Sequence, residues 1–355
     1  VIDLENKKYL DFSQMAVGAC ALGYSDNFVN NAVKKVINNS NVTTLNSPLE
    51  VELAETLLSI NKWAGMVRYA RTGAEANAIA VRIARAYTGK NKILVCGYHG
   101  WQDWYISAIF KHEKNINELL LPNIGTQGIP SELSGLTIPF KYNNIEDIEK
   151  KIKANKGQIA AIMMESEREE KPYKGYLKDV EHICKKNNIL LIFDEITSAF
   201  RTYYGGHFNN YHVKPDIVTY GKALGNGYAI NAIVGKKNIM NKANETFISS
   251  TNWTEAVGFA AALATLQKMK NINLHLKLLK IGKKVELQWY ELGDHYNIPI
   301  SIRGIGPVMF MRFEGSKNIE IMNYYTQLML KRGFLAANYF YACNAHSSQM
   351  INRYF

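Results

Sequence analysis

The sequence predicts an α/β fold with a mostly parallel sheet, followed by a smaller α+β domain. The first observation is that short apolar segments alternate with amphipathic helical patterns from about residue 28 to residue 270. The second is that these segments, such as 159–164 and 189–193, have the length of buried strands and are too short to span a membrane. Because strands that alternate with helices usually pair in parallel, one open sheet covered by helices is expected.

Each element follows from the spacing of its apolar residues. Apolar residues three and four apart predict helices, and continuous apolar runs of about four to eight residues predict buried strands. The helix that begins at Glu75 has the strongest pattern, and Gly89 is placed to end it. The predicted helices are 28–37, 49–60, 75–87, 179–186, 255–269, 274–292 and 320–332, and the predicted strands are 92–96, 158–164, 189–193, 216–220, 232–234, 298–303 and 307–313.

The pattern changes near residue 271, where a long charged helix interrupts the alternation of strands and helices. We therefore expect three parts: an N-terminal segment over residues 1–40, a large ligand-binding domain over 41–270 and a small C-terminal domain over 271–355. The chain begins with Val1 rather than Met, so we also expect the full protein to continue before this residue.

The charge of the chain does not favour a nucleic-acid partner. There are 42 Lys and Arg residues against 31 Asp and Glu residues, a formal net charge of +11. The lysines are scattered, however, and no arginine-rich or aromatic-interleaved basic stripe occurs. A basic binding protein without enzymatic activity is therefore only a remote alternative.

The cysteines do not predict a metal site. Cys20, Cys96, Cys184 and Cys343 are scattered, and none belongs to a C-x-x-C pair. Their distribution fits reduced thiols in a cytoplasmic protein. No apolar run has the length of a membrane span, so no membrane partner is expected.

Polar residues follow two buried strands in a way that indicates a ligand site. The run 189–193 leads into Asp194, and the run 216–220 leads into Gly221 and Lys222. Open parallel sheets bind ligands at the carboxyl ends of their strands. A lysine there can act as an amine nucleophile, and a carboxylate can keep a pyridine nitrogen protonated, which together suit pyridoxal phosphate. Taken alone, Asp194 could be a helix cap and Lys222 a solvated loop residue.

Two further motifs complete the predicted site. Thr72, Gly73 and Ala74 lie at the start of the strongest helix, where backbone N–H groups and the helix dipole can bind an anion. Tyr98 and His99 follow a predicted strand, and an aromatic side chain in this position can stack on a planar cofactor. A plain helix cap and ordinary interface packing are the alternatives for these two motifs.

Four motifs occur in order along the chain. They are Arg71-Thr-Gly-Ala-Glu-Ala-Asn77, Tyr98-His-Gly100, Phe193-Asp-Glu195 with Phe200-Arg201, and Pro215-Asp-Ile-Val-Thr-Tyr-Gly-Lys222. Together they resemble the class III pyridoxal-phosphate aminotransferases, which have fold type I. Within this family the resemblance is strongest to glutamate-1-semialdehyde 2,1-aminomutase, and it extends from Asp3 to about His346.

The resemblance implies roles for the predicted site residues. Lys222 would hold pyridoxal 5'-phosphate as a Schiff base and move protons, and Asp194 would pair with the pyridine nitrogen. Tyr98 would stack on the ring beside His99. The phosphate would be bound by residues at the start of the strong helix, namely Thr72, Gly73 and Ala74.

The resemblance also implies a homodimer with shared active sites. Thr251 precedes a helix as does a family threonine that reaches the phosphate of the partner subunit. Glu165 matches a family carboxylate that lines the pocket near the oxygen substituent of the ring. Small-molecule amines and keto compounds are the implied substrates.

Some residues depart from the aminomutase branch. Thr197-Ser-Ala199 stands where that branch carries Met-Thr-Gly, and Asn338 stands where it carries a glutamate that meets the substrate's amino groups. We expect the cofactor chemistry to be intact and the substrate to differ. The alternative is that Glu167 or Glu169 supplies the charge that Asn338 lacks. The first hypothesis is an aminotransferase that acts between an amine donor and a keto or aldehyde acceptor, and the alternative is an aminomutase that acts within one substrate.

Overall fold

A computed structural model describes residues 1–39, 41–111, 125–167 and 169–355. The strands are β1 (Leu10–Asp11), β2 (Met66–Ala70), β3 (Lys92–Cys96), β4 (Thr137–Pro139), β5 (Ile159–Met164), β6 (Leu190–Asp194), β7 (Ile217–Tyr220), β8 (Asn231–Gly235), β9 (Ile300–Gly304), β10 (Val308–Phe313), β11 (Phe334–Leu335) and β12 (Tyr339–Tyr341). The helices are α1 (Asn27–Asn39), α2 (Pro48–Ile60), α3 (Gly73–Thr88), α4 (Asp103–Ile106), α5 (Ile145–Ala154), α6 (Tyr176–Lys186), α7 (Lys237–Met240), α8 (Ala256–Asn271), α9 (Leu274–His295), α10 (Asn318–Lys331) and α11 (Ser348–Tyr354).

The central sheet has seven strands in the order β2-β8-β7-β6-β5-β3-β4. Strand β8 pairs antiparallel with β2 and β7, and the other pairs are parallel. The predicted α/β fold with a mostly parallel sheet is confirmed. As a result, β3, β5, β6 and β7 end at one edge of the sheet, and β8 begins there.

Both faces of the central sheet are covered, which explains why its strands are continuously apolar. In β6, Leu191 and Phe193 belong to a core cluster shared with helices α6 and α8. The alternate residues Leu190 and Ile192 belong to a second cluster shared with α3. Every residue of β6 is buried, including Asp194 at its carboxyl end.

Local signals set the bounds of helix α3. Thr72 is its N-cap and forms a capping box with Glu75, and Gly89 follows the helix with a φ of +67° in the left-handed region. The predicted end of this helix is confirmed. The observed start, Gly73, lies two residues before the predicted one, because the capping box brings the small residues before Glu75 into the first turn.

Two smaller sheets lie outside the central one. Strands β9, β10 and β12 form an antiparallel sheet in the order β12-β10-β9. This sheet matches the α+β architecture expected for the C-terminal region. Strand β1 pairs in parallel with β11, so the N-terminal segment packs against the C-terminal region. The division of the chain at residues 40 and 270 stays a prediction. Over the described ranges, no helix is both long and apolar enough to cross a membrane.

Strands β2 and β4 and helices α4, α5, α7 and α11 were not predicted from the sequence. Strand β2 carries Arg68 at its centre, which interrupts the apolar pattern. Strand β4 lies at the edge of the sheet and ends at Pro139, where a residue without a backbone N–H is tolerated. Helix α11 is short and begins after Ser347, whose side chain accepts a hydrogen bond from the N–H of Met350.

His346 links the N-terminal segment to the C-terminal region. Its Nδ1 accepts a hydrogen bond from the N–H of Cys343 at 3.3 Å, and its Nε2 donates to the carbonyl oxygen of Asp11 at 2.8 Å. These contacts require the neutral ring with hydrogen on Nε2. Burial lowers the pKa of His346 below its usual value of 6.5, although the contact with Asp11 opposes this shift.

We expect the folding stability to fall as the pH drops below about 6.5. Below this pH, His346 binds a proton in the unfolded chain but not yet in the folded chain, where its pKa is lower. The free energy of unfolding therefore decreases by up to about 1.4 kcal/mol for each pH unit. In His346→Gln, the amide keeps one acceptor and one donor but cannot titrate, so its stability should fall less steeply with pH. Urea unfolding at a series of pH values measures both slopes.

The matched control is His182→Gln, because His182 is an exposed histidine of α6. This variant should keep the wild-type dependence on pH. Equal slopes in His346→Gln and the wild type would show that the protonation of His346 does not limit stability in acid.

Candidate active site

A cavity of about 360 Å³ opens at the carboxyl edge of the central sheet. Its walls come from the ends of β2, β3, β6 and β7 and from the start of β8, which lie at this edge. The structure brings together most of the residues predicted from the sequence, and those that line the cavity are Thr72, Gly73, Ala74, Tyr98, His99, Asp194 and Lys222. Glu165 and Thr251 are not among the lining residues.

Asp194 is buried at the end of β6, and its carboxylate is surrounded by hydrogen-bond donors. Oδ2 accepts from Nδ2 of Asn77 at 2.7 Å and lies 2.8 Å from Nδ1 of His99, while Oδ1 accepts from the N–H of Ile196 at 3.0 Å. Asn77 in turn accepts from the hydroxyl of Thr219 at 2.8 Å, which fixes the orientation of its amide. These contacts offset the cost of burying a charge and hold the carboxylate in one position.

The ring of His99 lies between two acceptors. Nδ1 faces Asp194, and Nε2 lies 3.0 Å from the carbonyl oxygen of Cys96. Each ring nitrogen thus faces an oxygen that can accept a hydrogen bond. His99 therefore orients Asp194 from the side of β3.

Lys222 follows Gly221 directly after β7. A Cβ atom at position 221 would lie 1.9 Å from Oδ1 of Asn231, so only glycine lets the backbone pass this side chain. Lys222 itself has a φ of +45°, in the left-handed region that is uncommon for a residue with a side chain. Its Nζ donates to Oγ1 of Thr197 at 2.9 Å, which holds the amine at the cavity wall.

The N-terminus of α3 forms another wall of the cavity. Oγ1 of Thr72 accepts from the N–H of Glu75 at 3.3 Å, and Oε2 of Glu75 accepts from the N–H of Arg71 at 2.8 Å. The N–H groups of Gly73 and Ala74 belong to the first turn and have no acceptor within the helix. They and the helix dipole suit an anionic group.

Arg71 holds the turn at 251–254 against the start of α3. Its guanidinium forms an ion pair with Glu255 at 3.3 Å and donates to the carbonyl oxygens of Asn252 at 3.1 Å and Glu255 at 3.0 Å. Burial lowers the pKa of Arg71, and the charge of Glu255 opposes this shift. Thr251, the first residue of the turn, is exposed.

Glu165 lies behind the loop that carries Tyr98. Its Oε2 accepts from the N–H of Tyr98 at 3.3 Å, and a Cβ atom at Gly97 would lie 2.7 Å from this oxygen. Gly97 also has a φ of +104°, so glycine is required there for two reasons. Tyr98 remains 39% exposed and lines the cavity.

Glu195 stabilises the loop after β6 from inside the protein. Its carboxylate accepts from the hydroxyls of Ser166 at 2.5 Å and Ser198 at 2.6 Å and from the N–H groups of His207 at 2.7 Å and Phe208 at 3.2 Å. Burial raises the pKa of Glu195, and the neighbouring His207 and these hydrogen bonds counteract the rise. The carboxylates of the Asp-Glu pair thus have separate tasks.

Among the lining residues that sequence reasoning did not assign to the site are four polar ones: Arg71, Asn77, Thr197 and Asn231. Arg71 and Asn77 are the first and last residues of the motif that leads into α3. Their place in this motif was the available signal. Thr197 and Asn231 contact the site through side chains whose partners are distant in sequence, so no local pattern indicated them.

The arrangement has the chemistry of a site for an aldehyde-bearing, aromatic and anionic cofactor. The amine of Lys222 suits an aldehyde, the carboxylate of Asp194 suits a protonated ring nitrogen, and the start of α3 suits a phosphate. Across the described part of the chain, no group of three or more His, Cys, Asp and Glu side chains is placed to hold a metal ion.

Comparison with known proteins agrees with this chemistry. The aminotransferase class-III family matches residues 1–340. A 3-aminobutyryl-CoA aminotransferase from Cloacimonas acidaminovorans (strain Evry) is 30% identical over 362 residues, covering 98% of this chain and 83% of that protein. A glutamate-1-semialdehyde 2,1-aminomutase from Persephonella marina (strain DSM 14350 / EX-H1) is 31% identical over 376 residues, covering 99% of this chain and 86% of that protein.

A solved structure has the same fold. The FumI protein of Sphingopyxis sp. MTA144, solved in a PLP form, superposes with a TM-score of 0.90 at 22% identity, covering 99% of this chain and 83% of that chain. At this identity the likeness supports the fold, while the family match and the two relatives carry the assignment. The chain therefore belongs to the class-III aminotransferases and is a pyridoxal-phosphate-dependent enzyme of fold type I.

Proposed function

We propose that this enzyme transfers an amino group between two separate substrates, an amine donor and a keto or aldehyde acceptor. The observation that carries the proposal is that the amine of Lys222, the carboxylate of Asp194 and the N-terminus of α3 face one cavity. Membership of the class-III aminotransferases supports the reaction class.

We assign the site residues as follows. Lys222 binds the cofactor aldehyde and moves protons, and Asp194 keeps a proton on the ring nitrogen. The start of α3 binds the phosphate, and Tyr98 covers one face of the ring. When bound, pyridoxal phosphate supplies a ring that accepts electrons from the substrate carbon. Glu165 acts on Tyr98 by fixing the loop from behind.

The charges around the cavity support transfer between two substrates. Among the described residues that line it, Asp194 is the only carboxylate, and three groups already surround it. Asn338 is not a lining residue, and its carbonyl oxygen accepts from the N–H of Met311 at 2.8 Å. Glu167 is buried, and its carboxylate contacts His207 at 3.1 Å and the hydroxyl of Tyr211. No further lining carboxylate among the described residues is placed to retain a substrate with two amino groups.

The second candidate is an aminomutase, which moves the amino group within one molecule. The 31% identity to the Persephonella marina glutamate-1-semialdehyde 2,1-aminomutase favours it. Both candidates use the same assignments for Lys222 and Asp194. They differ in whether the amine product must leave before an acceptor enters.

We propose that the enzyme works as a homodimer with shared sites. Thr251 is exposed beside the start of α3, where it could reach a phosphate bound by the partner subunit. Two large apolar side chains are also exposed: Phe247, four residues before Thr251, by 84%, and Trp101, which lines the cavity, by 72%. Burial of such side chains favours association.

We propose a cytoplasmic location on the basis of the cysteines. Cys20, Cys96, Cys184 and Cys343 are buried thiols, and burial raises the pKa of Cys184 and Cys343. Thiols that are kept reduced are typical of the cytoplasm.

Borohydride reduction after incubation with pyridoxal phosphate should place a pyridoxyl group on Lys222. Asp194→Asn should carry the same label, because the aldehyde still meets the same amine, but should lose on the order of a hundredfold in turnover, since an amide does not hold the ring nitrogen protonated. Peptide mass spectrometry locates the label, and steady-state kinetics measure the loss.

Asp179→Asn is the matched control, because Asp179 is exposed on α6 and does not line the cavity. It should keep both the label and the turnover. A label on another lysine would refute the assignment of Lys222, and full turnover in Asp194→Asn would refute that of Asp194.

Mixing Lys222→Ala and Thr251→Ala subunits tests the shared site. If Thr251 serves the partner's site, each mixed dimer has one site with both changes and one with neither. The activity after subunit exchange should therefore exceed that of both parents. Absence of recovery after mass spectrometry has verified exchange would mean that Thr251 acts within its own subunit.

Steady-state assays separate the two candidate reactions. With glutamate-1-semialdehyde alone, we expect little 5-aminolevulinate, because the diamine should leave and an external acceptor would be needed to restore the cofactor. With a panel of amine donors and keto acceptors, turnover should depend on both substrates. Fast conversion of glutamate-1-semialdehyde without an acceptor would establish the aminomutase instead.

A further inference from the structure

We propose that Thr197 is a positioning residue for Lys222. Its hydroxyl holds the amine of Lys222 in the orientation in which this amine takes up and returns a proton. The proposal rests on the proposed function, because it concerns the proton transfer that Lys222 performs there. No local sequence pattern assigns a role to Thr197, and the contact between the two side chains is what indicates one.

The two residues meet because their strands are neighbours. β6 and β7 pair in parallel with Asp194 opposite Thr219, so the loops that follow them run side by side at the cavity. Thr197 is 7% exposed and lines the cavity together with Lys222. Nζ donates to Oγ1 at 2.9 Å, a distance typical of a well-formed hydrogen bond.

The backbone of Thr197 is held on both sides. The N–H of Ile196 donates to Oδ1 of Asp194 at 3.0 Å, and the carbonyl oxygen of Thr197 accepts from Nε of Arg201 at 2.7 Å. Arg201 is fully buried and also donates through Nη2 to the carbonyl oxygen of Gly18. Burial lowers the pKa of Arg201 to about 10, so its guanidinium stays charged at neutral pH. The hydroxyl of Thr197 therefore approaches Lys222 from a fixed backbone.

The hydroxyl suits an amine that changes its protonation. A neutral amine has two N–H donors and one lone pair, and an ammonium has three N–H donors. Oγ1 of Thr197 can accept one N–H in either form, so Nζ stays in place while its lone pair takes a proton from the substrate carbon that bears the amino group. The bound cofactor's ring would hold the electron pair left on that carbon, and Lys222 would return the same proton to the cofactor carbon that accepts it. Lys222 would then end as the neutral amine, with no proton gained or lost.

Thr197→Val tests the contact without changing the shape of the side chain. In the full chain freed of cofactor, we measure the acetylation of Lys222 by acetic anhydride at pH 7, with Lys283 in the same digest as the reference. At this pH lysine amines are mostly protonated, and only the neutral amine reacts with the anhydride. The hydroxyl of Thr197 accepts a hydrogen bond from Nζ and so favours the protonated form, and its removal should raise the neutral fraction. Lys222 should therefore be labelled roughly fivefold faster in Thr197→Val.

Kinetics of the enzyme with cofactor test the role of the contact. In Thr197→Val, kcat should fall about tenfold while KM for both substrates stays within about twofold, because binding is not affected. Thr197→Ser restores the hydroxyl and should recover most of both the labelling rate and kcat. Thr265→Val is the matched control: Thr265 is buried in α8 away from the cavity, and this variant should match the wild type in both measurements.

The proposal is overturned if Thr197→Val labels Lys222 at the wild-type rate, if it keeps the wild-type kcat, or if Thr197→Ser is as impaired as Thr197→Val. These outcomes differ from a failure of the proposed function. A wild-type enzyme that transfers no amino group from any donor would refute that function, whereas the labelling of Lys222 would still report the contact with Thr197.

Discussion

The burial of a carboxylate at the end of a central strand is the constraint on which the site depends. β6 is buried along its whole length, so Asp194 enters the interior with its charge. A buried charge is tolerated only with donors around it, and these come from separate parts of the chain: Asn77 in α3, His99 after β3 and the N–H of Ile196. Meeting this requirement brings α3, the loop after β3 and the loop after β6 to one edge of the sheet.

Close backbone approach is the second requirement at this edge. Gly221 must pass the side chain of Asn231 on the antiparallel strand β8, and Lys222 then takes a left-handed φ. Gly73 has a similar reason, since a Cβ atom there would lie 2.9 Å from Ile196. The glycines of the recognised motifs are therefore sites where elements of the sheet and α3 come together. The buried residues around Lys222 hold its backbone in this uncommon conformation, which places its amine at the cavity.

The acidic residues near the site show how similar side chains take different tasks. Asp194 faces the cavity, whereas Glu195, the next residue, points into the protein and binds two hydroxyls and two backbone N–H groups. Glu165 and Glu167, on either side of Ser166, also have different partners. Glu165 accepts from the N–H of Tyr98, and Glu167 contacts His207. The cavity is therefore poor in carboxylates although many lie nearby, and this distribution bears on substrate choice more than on cofactor chemistry.

By itself, the sequence determined the fold class, three of the strands that end at the site (β3, β6 and β7) and seven of the lining residues. These were accessible because buried strands are continuously apolar and because the capping and glycine motifs are local in sequence. Strand β2 escaped because Arg68 breaks its apolar run. Only the tertiary structure decided which side chains meet. Asn77 with Asp194, and Thr197 with Lys222, are pairs separated by 117 and 25 residues, and spacing along a chain carries no information about such contacts. The tertiary structure also decided that Glu165 and Thr251 do not line the cavity, because this depends on how the loops pack at the sheet edge.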